Sequence, residues 1–446
     1  MATSILWFRR DLRLTDHPAL IAAAEGGTTV LPLFILDPAL LRSAGSRRTN
    51  RLLASLAALN DALDGALVLR RGDPSEVVRA VAWEVDAAAV HVSEETTPYG
   101  RRRDTRVAAA LEQDGRWLIA TGSPYAVTPG RVLKDDGTPY RVFTPFSKAW
   151  QSHGWRAPAD SARDTRWLRE IASDDLPEHE PQAEAGEAAA LARWAAFRDG
   201  DLAGYNAQRD RPDLDSTSHL SAALKYGEIH PRTLLAEAHG HPRFVAELCW
   251  REFYADVLYH RPESAWADLN PTLAGMTYDA PGPEFAAWQA GMTGYPLVDA
   301  GMRQLLAEGW MHNRVRMVSA SFLVKHLHVW WPHGARHFLA QLADGDIASN
   351  NHGWQWVAGT GTDAAPYFRI FNPVTQGLKF DPDGNYVRRY VPELRHLEGS
   401  AVHEPWRWGD GYAHGYPQRV VDHAAARADA LARYAAARQP ATVEHA

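Results

Sequence analysis

The chain has 446 residues, 46% hydrophobic and 23% charged, with a formal net charge of −7. That length exceeds one ordinary core and predicts two domains, while the acidity excludes a protein that coats nucleic acid indiscriminately and leaves a local basic surface open. No apolar run is long enough to cross a membrane, no signal peptide precedes Arg9-Arg-Asp-Leu-Arg13, and the lone Cys249 excludes intrachain disulfides and cysteine-cluster metal sites, so a cytoplasmic protein is expected.

Taken in order, Ile5–Phe8, Val30–Leu36, Ala66–Arg70, Ala89–Val92 and Trp117–Thr121 read as short apolar strands. Between them Pro18–Ala24, Asn50–Leu63, Pro74–Val85 and Arg103–Gln113 read as helices, with Asp16-His-Pro18 and Asp73-Pro74 as start signals. This alternation predicts a doubly wound parallel sheet covered on both faces. No GxGxxG follows the first strand, so the usual dinucleotide fingerprint is absent. Arg9, Arg10, Asp37 and Glu95 are placed to line a ligand at the carboxyl ends of the strands, or to form surface salt bridges there.

From Trp150 to about Ala190 the chain turns polar and reads as a linker over the surface. Beyond Leu191 the pattern is helical, over Arg243–His260, Gly294–Leu306, Trp310–His328, Gly334–Leu342 and Ala424–Ala437, with Gln439–Ala446 expected to fray. The boundaries fall at 1–127 for the α/β domain, 128–190 for the connector and 191–446 for the all-helical domain. There is no internal repeat.

Fourteen of the 17 tryptophans lie at or after Trp150, so the aromatic chemistry belongs to the later part. On a helix Glu247, Trp250 and Arg251 share one face, as the lining of a cavity or as a core tryptophan beside a surface ion pair. Ser216-Thr-Ser-His-Leu-Ser221 offers hydroxyls and amides at a helix start, a cradle for phosphate that Tyr205 and Arg209 would close. Trp310, Asn313, Arg314 and Met317 fall on one helical face, with Arg316 off it. Asp344-Gly-Asp346 puts two carboxylates on a loop, followed by Asn350. Trp354 and Trp356 point to different sides of a helix. His326, His328, His333 and His337 lack the carboxylate motif that would complete a metal site. Residues 300–395 hold ten Lys/Arg against seven Asp/Glu, plus six His, interleaved with aromatics as flipped-base and single-strand binders require.

These blocks together resemble the photolyase/cryptochrome family, specifically its class I enzymes for cyclobutane pyrimidine dimers. The match runs from Trp7-Phe-Arg-Arg-Asp-Leu-Arg-Leu14 through Thr217–Ser221, Glu247–Tyr254, Thr293–Asp299, Trp310–Met317 and Asp344–Trp356 to Asp363–Pro373. The resemblance implies an α/β antenna domain, a long connector and a helical domain holding FAD. Tyr205, Thr217, Ser218, His219, Leu220 and Ser221 would hold its phosphates and ribityl. Phe244, Arg251, Arg316, Asp344, Gly345, Asp346 and Asn350 would surround the rest, with Arg316 paired to Asp344 and Asn350 near flavin N5.

Glu247, Trp250, Asn313, Arg314, Met317 and Trp356 would line the lesion pocket. Arg209, Gln376 and Lys379 would touch DNA phosphates. The implied reaction is light-driven: reduced FAD lends an electron to a dimer flipped out of DNA, the ring splits, and the electron returns. Asn313, where relatives acting on the 6-4 photoproduct carry a second histidine, favours the cyclobutane dimer, and Cys249 alone excludes the iron–sulfur branch. Trp354 and Trp331 match the inner members of the photoreduction chain, with Tyr278 at the outer position, which predicts slow or pH-sensitive photoreduction. Leu36-Asp37-Pro38, Gly72-Asp-Pro74 and Thr97–Arg101 favour an 8-hydroxy-5-deazaflavin antenna over methenyltetrahydrofolate. The rival function is a blue-light sensor of the cryptochrome type; the intact lesion-pocket residues favour repair. A monomer with no obligate protein partner and no membrane is expected.

Overall fold

Alternate side chains of β1 (Thr3–Phe8) enter two different cores, as a strand covered on both faces must. Leu6 and Phe8 pack with Val30, Phe34 and Leu36 of β2 (Thr29–Leu36), whereas Ile5 and Trp7 pack with Leu31, Leu33 and Ile35. With β3 (Val68–Arg71), β4 (Ala89–Val92) and β5 (Trp117–Ala120) they form a five-stranded sheet of order β3-β2-β1-β4-β5, every pairing parallel. The expected doubly wound sheet is present. The structure is a computed structural model and describes residues 2–162, 164–364 and 366–438; Gln439–Ala446 lie outside them.

Helices α1 (Pro18–Ala24), α2 (Pro38–Ala62), α3 (Pro74–Glu84) and α4 (Pro98–Glu112) alternate with the strands. Two start earlier than the periodicity predicts. Asp37 caps α2 by accepting from Ala39 N, and Thr97 caps α4 by accepting from Gly100 N, each with proline in the first turn. A strong cap and a proline therefore outweigh the weak apolar pattern of those first turns, and α2 runs through a break at Gly45 (φ 73°).

The polar stretch from Trp150 is not a plain surface linker. Trp150 is a fully buried residue of α5 (Phe143–His153), and beyond it the chain pairs with the sheet. Leu168 N donates to Val30 O at 2.8 Å, Val30 N to Arg166 O at 2.9 Å and Asp174 N to Leu69 O at 2.9 Å. The connector thus covers the half of β2 that β3, paired only from Leu33 on, leaves open.

After the connector come α6 (Glu187–Asp199), α7 (Tyr205–Gln208), α8 (Ser221–Tyr226), α9 (Pro231–Glu237), α10 (Pro242–His260), α11 (Pro283–Ala290), α12 (Pro296–Glu308) and α13 (Asn313–Lys325). Then follow α14 (Trp331–Gln341), α15 (Ile347–Ala358), α16 (Pro373–Phe380), α17 (Asn385–Tyr390) and α18 (His423–Ala437). The chain forms two compact units. The first takes the chain up to Tyr205, Thr217–Pro262 and Ala343–Ala348; the second takes Asn206–Ser216, Glu263–Leu342 and the chain from Ser349 on.

In the first unit the buried Glu252 of α10 ties down the chain leaving β5. It accepts from Ala126 N at 2.5 Å, Val127 N at 3.1 Å and Trp150 Nε1 at 2.6 Å, and burial still pushes its carboxyl up to about 7. In the second, Trp288, Tyr295, Phe322, Trp331, Phe338 and Trp354 fill one core. The Thr293–Asp299 block is structural there: Asp299 accepts from Thr293 N, Thr293 Oγ1, Gly294 N and Tyr416 Oη at 2.6–3.0 Å, fixing the entry to α12.

Candidate active site

In the first unit α10 presents the expected constellation, though not with the expected partners. Glu247 pairs with Arg243 one turn earlier, at 3.3 Å. Arg251 turns inward, donating to Pro124 O and Leu224 O at 3.1 Å each and lying 4.5 Å over the Tyr125 ring. Trp250 is half-buried and has Phe143 stacked on it. Phe244 is buried in an aromatic cluster with Trp194, Phe197 and Tyr205, at centroid distances of 5.5–5.6 Å. Phe143, Trp194 and Phe197 escaped the sequence reading because each lies on another helix, with no motif around it.

The 217–221 segment precedes α8, whose N-cap Leu220 supplies no side-chain acceptor. Arg193 donates to Thr217 O at 2.9 Å and Ser218 O at 3.0 Å. Because a trans peptide sets N–H opposite C=O, this turns the Ser218 and His219 amides away from Arg193, and His219 takes a left-handed turn (φ 52°). The segment thus carries amides turned from Arg193 and the hydroxyls of Thr217, Ser218 and Ser221, with Ser218 Oγ 3.5 Å from Leu220 N; these are donor types that suit a phosphate. Asp344 is buried, and Asp346, half-buried, accepts from Arg10 Nη2 at 2.8 Å.

In the second unit α13 starts at Asn313, with His312 as its cap accepting from Arg314 N at 3.1 Å. Trp310 therefore lies before the helix and does not share its stripe. Asn313 is exposed, and its Nδ2 lies 3.9 Å from Met317 Sδ, so the two do sit together. Arg314 pairs with Asp210 at 2.9 Å and lies 4.4 Å over Phe380, and Arg209 reaches the same Asp210 at 3.6 Å. Asp210 thus gathers two of the proposed DNA-contacting arginines. Arg316 donates Nε to Met311 O at 2.7 Å.

On α15, Asn350 donates its amide to Ala335 O at 3.1 Å and Asn351 Oδ1 at 2.8 Å, which leaves its carbonyl oxygen as the end to offer a ligand. An acceptor there fits the N–H of a reduced flavin. Trp354 is buried and Trp356 half-buried, on different sides as expected. Gly334 of α14 admits the Trp354 indole, since a Cβ there would sit 2.2 Å from its Cη2. Trp331 donates to Asp268 Oδ1 at 2.6 Å, and Trp330 approaches the same oxygen at 3.4 Å. The Tyr278 hydroxyl is buried without a hydrogen bond, and burial with the Asp268 charge holds its proton tightly. Lys379 is exposed on α16, and the Gln376 Oε1 beside it is buried without a hydrogen-bond partner.

At the carboxyl ends of β1 and β4, the point where strand order reverses, Arg9, Arg10 and Glu95 gather as expected. They hold protein partners there. Arg9 Nη1 donates to both carboxylate oxygens of Asp104 at 2.8 Å, and its Nη2 bonds the Ser93 carbonyl. Asp37 caps α2 and accepts from Tyr99 Oη at 2.5 Å. Glu95 lies across α4 where Gly100 has no Cβ to obstruct it.

Two family models match the chain: "DNA photolyase" over residues 4–163 and "FAD binding domain of DNA photolyase" over residues 244–436. A deoxyribodipyrimidine photo-lyase of Streptomyces griseus is 43% identical, over 96% of this chain and 98% of its own length. The chain belongs to the DNA photolyase family. A class III photolyase from Agrobacterium tumefaciens superposes with a TM-score of 0.93 at 39% identity, covering 99% of this chain and 98% of that one. A Synechocystis cryptochrome gives 0.87 at 26%, covering 97% and 99%. The scaffold is therefore shared by proteins named as repair enzymes and by one named as a cryptochrome. No described helix is long and apolar enough to cross a membrane.

Proposed function

We propose that the chain splits cyclobutane pyrimidine dimers in DNA, driven by light. The observation that carries this reading is the placement of Glu247 and Trp250 one turn apart on α10, in a chain so similar to curated deoxyribodipyrimidine photo-lyases. FAD, when bound and reduced, supplies the light-excited electron that opens the cyclobutane ring and takes it back after splitting, with no net redox change.

The chain's own residues do the rest. Tyr205, Thr217, Ser218, His219, Leu220, Ser221 and Phe244 hold the cofactor's phosphates and chain, while Arg251, Arg316, Asp344, Gly345 and Asp346 hold its polar edges. The Asn350 carbonyl keeps the proton at flavin N5. Trp250 stacks on the extruded bases with the ring face that Phe143 does not cover, and Glu247 hydrogen-bonds a base as it gains charge. Asn313, Arg314, Met317 and Trp356 complete the lesion contacts, with Met317 offering a soft, polarisable side chain. Arg209, Gln376 and Lys379 serve DNA phosphates. Residues 1–127 form the antenna domain, carrying a deazaflavin or, alternatively, methenyltetrahydrofolate, and Asn313 supports the class I assignment.

The test uses a single-stranded oligonucleotide with one thymine dimer, under reductant, in blue light and in the dark. Light-dependent recovery of thymine absorbance, strongly reduced in Glu247→Ala at unchanged FAD content, is expected. No repair by a chain that holds reduced FAD would overturn this reading in favour of a light sensor.

A further inference from the structure

Arg10 follows the end of β1 and contacts three other segments of the first unit. Its Nη2 donates to Asp346 Oδ2 at 2.8 Å, its Nη1 lies 3.8 Å from Glu95 Oε1, and its Nε reaches Lys225 O at 3.4 Å. Tyr125, whose ring carries Arg251 on its face at 4.5 Å, lies close enough to Arg10 for the two to interact. One guanidinium therefore joins Glu95, in the loop after β4, to Asp346 and, through Tyr125, to Arg251. Lys225 and Arg48 also feel the charge of Asp346, and Lys225 that of Asp344. Three carboxylates, Glu95, Asp344 and Asp346, thus lie among basic side chains of the first unit, and Arg10 bonds the loop directly at 2.8 Å.

We propose that Arg10 is a positioning residue for the flavin site: it fixes the Asp344–Asp346 loop and offsets the charge that the loop carboxylates would otherwise leave beside a flavin gaining electrons. This rests on the reading of Asp346 as a flavin-side residue. Of its three nitrogens, Nη2 is the one that bonds the loop, while Nη1 faces Glu95 and Nε reaches Lys225 O. A planar fork can bond Asp346 through one arm while its other arm faces Glu95, a geometry that a lysine ammonium does not reproduce.

The test compares wild type, Arg10→Gln, Arg10→Lys, Asp346→Asn and the Gln/Asn double variant, each reconstituted from apoprotein with FAD. FAD affinity is read from flavin fluorescence, the flavin midpoint potential by spectroelectrochemistry, and folding by thermal unfolding of the apoprotein. Arg10→Gln is expected to weaken FAD binding about tenfold, the loss of one hydrogen bond to a charged group, and to shift the midpoint to more negative values. Arg10→Lys keeps the charge and restores the potential, and the double variant binds no more weakly than Asp346→Asn alone. Unchanged affinity and potential in a folded Arg10→Gln, or additive losses in the double variant, overturn the proposal while leaving the function standing. Should Arg10→Gln not fold, Arg10→Lys decides: a midpoint that differs from wild type although the charge is kept overturns the charge-offset role. A wild-type chain that takes up no FAD overturns the functional reading and this proposal with it.

Discussion

Phe143 lies flat on Trp250, ring centroids 3.7 Å apart and planes 6° from parallel. Phe143 belongs to α5 and Trp250 to α10, so the stack also fixes how the helix after the sheet meets the helix carrying Glu247. A stacked aromatic pair contributes about 1 kcal/mol beyond its buried area. Phe143→Ala is therefore expected to free the indole and weaken dark binding of a dimer-containing oligonucleotide about fivefold, with FAD content unchanged. Fluorescence anisotropy checks it; unaltered affinity would reduce Phe143 to a filler of the core.

The outer step of photoreduction separates two aromatic candidates. An oxidised tyrosine keeps its hole only by releasing the phenol proton, and the Tyr278 hydroxyl has no hydrogen-bond partner to receive it. Trp330 meets Trp331 edge-on at 6.4 Å, and both indoles approach Asp268. Tyr278→Phe is expected to leave photoreduction under a chemical donor unchanged from about pH 6 to about pH 9, and Trp330→Phe to slow it severalfold. A marked loss in Tyr278→Phe would restore tyrosine as the exit.

His230 predicts a pH dependence of stability. Its Nδ1 accepts from Arg232 N at 3.1 Å as the cap of α9, its Nε2 faces Ser123 O at 2.9 Å, and burial lowers it from 6.5 to about 4. The unfolded chain then binds a proton that the native one refuses between those values, so its contribution is complete above 6.5 and is lost as pH falls. Between about pH 7 and about pH 5 this group removes about 2 kcal/mol. His230→Asn keeps a capping side chain and is expected to be less stable near neutrality but to have a flatter profile, measured by urea unfolding at both pH values.

The elements themselves were legible in the chain. The strand positions, the parallel sheet and helices such as α10 and α18 follow from apolar periodicity and proline starts, which depend on neighbours a few residues away. Helix starts shifted where a cap overruled a weak pattern, as at Asp37 and Thr97. The sheet contacts of the connector were not legible because polar sequence says nothing about backbone hydrogen bonds, and it is the backbone of Arg166, Leu168 and Asp174 that pairs with the sheet.

At the site, sequence determined which residue types travel together: Glu247 with Trp250, Asn313 with Met317, Asp344 with Asp346. Only the tertiary structure decided whom each one touches. Glu247 chose Arg243, Arg251 chose the carbonyls of Pro124 and Leu224, Arg10 chose Asp346, and Phe143 came to Trp250 from another helix. The reason is physical. Helical spacing fixes the direction in which a side chain leaves the backbone, but a buried charge or ring takes the partner that best offsets its desolvation, and that partner is set by packing between elements far apart in the chain.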